Sequence, residues 1–302
     1  MIAAILSFGC RAHLPASPAG GGETAAEAEY EAWRLERLAG LQKDDGWLAL
    51  AGLHWLKEGE APIGSARDNA VVLPKSAPPR LGVLTMRERT VELSIADGVE
   101  ATAGGAPFHS GTIFFGADPK AEPVRVRVGD VTLTIIDRGG ELALRVHDAQ
   151  AKTRLEFRGI ETFPWDARWV VRARFEPFET PKKVAVPTVI GIDDEATVPG
   201  ALVFELDGAQ RRLEPFQEEG DNELFIVFAD ETNGKETYGG GRFLTAKLKA
   251  DGSDVVVLDF NRAISPPCAF TPYATCPVPR PENRLRTAVE AGEKSRAHGA
   301  EE

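Results

Sequence analysis

From Asp44-Asp45-Gly46 onward the chain is written in short runs of alternating apolar and polar residues, each cut off by glycine, proline or aspartate. A period of two puts every second side chain on one face of an extended strand, and it cannot be laid onto a helix. The runs Ala70–Leu73, Arg89–Ala96, Thr112–Phe115, Val124–Val128, Val131–Asp137, Glu141–Val146, Arg154–Phe157, Trp169–Phe175, Ala201–Leu206, Glu223–Phe228 and Asp254–Phe260 read as strands. Arg138-Gly139-Gly140 joins two of them as a tight hairpin, since paired glycines accept the positive φ of a primed turn. Neighbouring strands should therefore pair antiparallel. No helical stretch separates them, which argues against βαβ units. The expected fold is mainly β: antiparallel sandwich or barrel-like sheets.

One helix precedes this region. Thr24 and Glu27 have capping-box spacing, and Tyr30, Trp33, Leu38 and Leu41 recur at roughly helical intervals, so a helix is expected over Thr24–Gly40. Turn residues gather again between Gly159 and Pro164, dividing the chain into 24–160, a helix plus a sandwich-like domain, and 161–302, a second β domain. Residues 1–23 read as a leader and tether. "MIAAILSFGC" is an apolar run ending at Cys10, the pattern of a lipoprotein signal whose cysteine is acylated, and the Pro, Ala and Gly that follow give reach without a fold. Cys10 is thus a candidate lipidation site, and the cell envelope the expected location, with the cytoplasm as the alternative.

A net charge of −11 repels phosphate backbones, and no basic face is visible, so nucleic acid is not an expected partner. No apolar run approaches the ~20 residues of a membrane span, leaving a lipid anchor as the one expected contact with a membrane. The five histidines are scattered without ligand spacing, so no metal site is expected. His54, between Leu53 and Trp55, reads either as a polar residue on a packed segment or as a pocket base. No G-x-S-x-G elbow is present. "IGSARDNAVVLP" (Ile63–Pro74) resembles the opening of forkhead-associated domains. It lacks their Arg after the glycine and their Ser-x-x-His, so phosphopeptide binding is not carried over.

The segment from Asp259 to Lys294 is aperiodic and carries six prolines (266, 267, 272, 277, 279 and 281). Long ordered loops usually serve a site or cap a core, and proline lowers the entropy lost on ordering them. Upstream, "TYGGGRF" sets Arg242 behind three glycines, either as a guanidinium that grips a carboxylate or phosphate, or as the charged end of a glycine-rich bulge. It lacks the lysine and hydroxyl of a P-loop, and no cofactor can be named. If the proline-rich segment folds back, Arg242, Asn261, Arg262, Asn283 and Arg284 become candidate ligand-binding residues, with Glu282 the candidate acid or base. Cys268 and Cys276, eight positions apart, are a disulfide in an oxidising compartment, or else inert, reactive or metal-bound thiols.

"DFNRAISPPCAFTPYATCPVPRPENRL" with "AGEK" after it, "ETYGGGRFL" and "GWLALAGLHWLKEGE" before it, resemble the domain-of-unknown-function 1684 family over about Tyr30 to Lys294. The chain departs from that family's pattern at Ile264-Ser265 and Arg280. The resemblance supplies no activity. Two functions are therefore expected from the residues alone: a binder, or an enzyme, for a small polar or anionic molecule in a pocket of the C-terminal domain, or a non-catalytic envelope protein whose polar cluster is structural.

Overall fold

The structure, a computed structural model, describes residues 24–116, 122–249 and 252–295. The candidate lipidation site Cys10 lies outside them. Helix α1 (Ala25–Leu41) opens with the expected box: Thr24 Oγ1 accepts from the Glu27 amide at 3.2 Å and Glu27 accepts from the Thr24 amide at 3.1 Å. Tyr30 and Leu41 are buried beneath it, and Arg37 ties it to Glu293 at 2.9 Å.

Strands follow in two groups. The first comprises β1 (Leu50–Trp55), β2 (Gly59–Gly64), β3 (Val71–Val72), β4 (Gly82–Arg87), β5 (Thr90–Ile95), β6 (Thr102–Ala103), β7 (Ala106–Pro107), β8 (Ser110–Phe115), β9 (Val126–Val128), β10 (Val131–Arg138) and β11 (Glu141–Asp148). They form a six-stranded sheet, β1-β11-β10-β9-β6-β7, and a five-stranded sheet, β3-β2-β4-β5-β8. Alternate residues of both sheets, among them Leu84, Leu93, Ile113, Leu133 and Leu144, meet in one apolar core, which makes this half a sandwich. After the short helix α2 (Lys152–Leu155) come β12 (Val170–Val186), β13 (Asp194–Leu206), β14 (Ala209–Leu213), β15 (Glu223–Phe228), β16 (Arg242–Lys247) and β17 (Val255–Asp259). They form a sheet β14-β13-β12-β17 and a β15-β16 pair, closed around Leu202, Phe204, Leu244, Leu258 and Phe260. All pairings are antiparallel except the short β2–β3 contact. The expected mainly β, antiparallel class with one N-terminal helix is what the chain adopts.

The glycine hairpin is present: Arg138 pairs with Glu141, and Gly139 and Gly140 sit at φ 57° and 89°. One expected strand is not. Arg154–Phe157 begins inside α2, where the Leu155 and Glu156 amides bond back four residues to Ala151 and Lys152, and no neighbouring strand offers this stretch a ladder. Conversely β1, β2, β4, β6, β7, β14 and β16 are strands that alternation did not mark.

The proline-rich segment runs as a strap across the second half. It makes three single-turn 3₁₀ helices and forms isolated bridges to β16 at Phe243–Ile264 and to the segments just after β12 and β15 at Thr188–Pro277 and Ala229–Arg284. Cys268 and Cys276 are disulfide-bonded, with 6.2 Å between their Cα atoms. A third apolar cluster, including Leu50, Val186, Phe243, Ala274 and Cys276, joins the two halves at this point.

Candidate functional site

The six polar residues expected to converge share no hydrogen bond or ion pair with one another among the described residues. Arg242 is completely buried, paired to Asp230 at 2.7 Å, and it donates to the carbonyls of Val289, at 2.9 Å, and Ala291. The glycines before it serve packing: a Cβ on Gly241, at φ +90°, would lie 2.3 Å from Pro279 Cγ. Asn283 donates to the carbonyls of Glu214 and Val227 at 2.9 and 3.0 Å and accepts from the Glu214 amide at 2.7 Å. Asn261 fixes Asp166 in the same reciprocal way, at 3.1 Å each. Arg262 pairs with Asp259 at 3.2 Å. Glu282 and Arg284 are exposed; the former pairs with Arg280 at 3.3 Å and the latter donates to the Pro279 carbonyl at 3.4 Å. Four of the six, Arg242, Asn261, Asn283 and Arg284, bond to backbone groups of the strap and its supports, and none lines a described cavity. His54, on β1, is half-buried, and burial depresses its pKa; it too lines none of them.

A different set of side chains does share a cavity. Between the outer face of β10–β11 and the strap lies a cleft of about 820 Å³. Val131, Leu133 and Ile135 of β10 point into the sandwich core, so by the period of two Thr134, Ile136 and Arg138 take the opposite face. On β11 the same rule puts Leu142, Leu144 and Val146 inside and Arg145 and His147 outside. An outer sheet face is ordinarily wet. Here the strap residues Pro267, Ala274, Thr275 and Cys276, with Phe243 of β16, cover it and take Arg145 and His147 partly or wholly out of water.

Arg145 makes one hydrogen bond, to Thr275 Oγ1 at 3.4 Å. Its Nε is buried without a partner, and no ion pair joins it to any described residue. A guanidinium has five donors, so four are uncommitted. Burial, and secondarily the charge of Arg138, lower its pKa to about 10, still charged at neutral pH. Arg138 donates to the same Thr275 hydroxyl at 2.9 Å and has Asp194 at 4.0 Å.

His147 is 9% exposed. Burial first, then Arg145 and Arg125, push its pKa down to about 4 against a small opposing effect of Asp45, so it is neutral at pH 7. Its Nδ1 is sealed from solvent without a partner. A bare lone pair costs less there than an orphaned N–H, which favours the proton on Nε2, and the residue lines the cleft. Trp47, Leu50, Phe114, Ile136 and Phe243 supply apolar wall. A second open cavity, about 1020 Å³, adjoins the first and shares Arg138, Thr275 and Pro277 with it. The site offers a charged fork with free donors and a neutral N–H donor beside an apolar surface: the means to hold an anion.

Sequence reasoning passed over Arg145 and His147 because each is an unremarkable polar position on an alternating strand. The available signal was their i, i+2 spacing on one face, next to the outward Arg138.

No group of three or more His, Cys, Asp or Glu able to hold a metal occurs among the described residues, and no helix there is long and apolar enough to cross a membrane. The family described as "Protein of unknown function (DUF1684)" matches residues 155–294, a shorter span than the Tyr30–Lys294 resemblance. An uncharacterised protein of Haloarcula marismortui, solved by NMR, is 35% identical, covering 47% of this chain and 78% of that one, with a TM-score of 0.40. The second forkhead-associated domain of a Mycobacterium tuberculosis ABC transporter is 24% identical over 30% of this chain and 77% of that one, with a TM-score of 0.23. No curated protein matches significantly.

Proposed function

Because the chain belongs to the DUF1684 family, which brings no activity with it, its function has to be read from its own geometry, and we propose that it binds a small anionic molecule in the cleft between β10–β11 and the strap. One observation carries this reading: Arg145 is a half-buried guanidinium facing a cavity with no acidic partner among the described residues. Buried charges are normally paired, because leaving them alone costs several kcal/mol of solvation. An arginine kept in this state is stabilised when a ligand supplies the missing negative charge.

We place the protein in the cell envelope. The Cys268–Cys276 bond supports this, since disulfides persist in oxidising compartments, and so does the apolar run ending at Cys10. No reaction is assigned.

The test is a thermal-shift screen of small anions on the wild-type protein and on Arg145→Met. A true ligand at a hundredfold excess over its Kd stabilises the native state by ~2.7 kcal/mol. Stabilisation present in the wild type and absent in a folded Arg145→Met supports the reading. Equal stabilisation of both, or none with any anion, contradicts it.

A further inference from the structure

The charges and surfaces around Arg145 narrow the class of anion, given the binding role proposed above. Three arginines line the cleft: Arg125, Arg138 and Arg145. Arg125 is neutralised by Asp45 at 2.8 Å. Arg138 is partly compensated by Asp194 at 4.0 Å, and it spends donors on Thr275 and on the Asp137 carbonyl at 2.6 Å. Buried His147 contributes a donor but no charge. One cation, Arg145, is therefore left without compensation, while of the carboxylates at the same cleft Asp45 and Asp137 are paired to Arg125 and Arg89, and Glu122 has no ion pair among the described residues. One negative charge balances this arrangement. A dianion or polyphosphate brings a second charge for which the cleft holds no further unpaired cation.

Backbone geometry points the same way. Phosphate sites are commonly built from free amides at helix N-termini or in glycine-rich nests. The base of this cleft is the β10–β11 ladder, in register from Val131–Asp148 to Arg138–Glu141, and not a helix N-terminus or a glycine-rich nest. What remains for recognition is the planar fork of Arg145, a geometry matched by a carboxylate's two oxygens. Around it Trp47, Phe114, Ile136 and Phe243 present apolar surface, in a volume suited to a body larger than acetate.

We infer that the ligand is an amphipathic monocarboxylate, an aliphatic or aromatic acid whose carboxylate meets Arg145 and whose apolar body lies along Trp47 and Phe243. Its apolar portion contributes affinity through burial and its single charge fixes orientation.

Calorimetric titration of the full chain with 3-phenylpropionate, octanoate, acetate and inorganic phosphate tests this, using wild type, Arg145→Met and Ile136→Gln. The expected result is binding of 3-phenylpropionate or octanoate at least tenfold tighter than acetate and phosphate. Arg145→Met should weaken it tenfold or more, and Ile136→Gln, which keeps the charge, should shrink the preference over acetate. Phosphate bound more tightly than the apolar acids, through Arg145, overturns this inference while leaving the anion site standing. Failure of all four probes to bind, or binding indifferent to Arg145, overturns both. Circular dichroism of each variant shows whether it is folded; should Arg145→Met unfold, the ranking of the four probes on wild type and the Ile136→Gln result decide the inference.

Discussion

Arg242 Nη2 meets Asp230 Oδ2 at 2.7 Å with both side chains wholly removed from solvent. The other Asp230 oxygen accepts from the Thr232 amide at 2.9 Å, the Thr232 hydroxyl at 2.6 Å and the Val289 amide at 3.2 Å. The pair thus ties β16 to the turn after β15 and to the end of the strap. Removing one partner strands a buried charge, so Arg242→Met should lower stability by about 3–5 kcal/mol. Urea unfolding measures the loss. Because Arg242 lines no described cavity, Arg242→Lys, if it folds, should leave affinity for an Arg145-dependent ligand unchanged; a selective loss of affinity would return Arg242 to the binding site.

Cys268 and Cys276 close a short loop that carries Thr275, the hydroxyl shared by Arg138 and Arg145. On the chain-entropy model their bond contributes roughly 2–3 kcal/mol. Replacing both cysteines by serine should lower the denaturation midpoint accordingly and weaken carboxylate binding, since Thr275 loses a constraint. A thiol assay on unreduced, unfolded wild-type protein should find neither of these two cysteines free.

His147 makes stability depend on pH. Its folded pKa, about 4, lies below the ordinary 6.5, so the unfolded chain takes up the proton first as pH falls. The stability it contributes is complete above pH 6.5 and is lost progressively between there and about pH 4, up to roughly 3 kcal/mol. Arg145 and Arg125 reinforce the shift and Asp45 opposes it. Other carboxylates titrate in the same window, so the quantity to compare is the difference in unfolding free energy between wild type and His147→Gln. That difference should change with pH over this range; a constant difference would mean the imidazole is not held neutral.

Much of the fold was legible because its cause is local. The capping box at Thr24 and Glu27, the paired glycines at 139–140 and the two-residue period of β10 and β11 each act within a few residues. Strands such as β1 and β16 were not, because Gly52 interrupts the alternation of one and the other is defined by its partner β15. Arg154–Phe157 failed for the opposite reason: a short alternating run without a partner takes the helical turn its own backbone can close. The candidate site was illegible in principle from such patterns. Which face of β10–β11 is wet depends on a strap far along the chain: Arg145 meets Thr275 across a separation of 130. The polar residues of the strap drew attention by their density, and three of them are occupied in pinning the segment that covers the cleft.

The most direct measurement is a crystal structure of the protein soaked in 4-bromophenylacetate, with the bromine located by anomalous scattering. A bromine peak is expected against the Trp47 and Phe243 surface, with the carboxylate about 3 Å from the Arg145 guanidinium. A peak elsewhere, or an empty cleft at a probe concentration that saturates binding in solution, would contradict it.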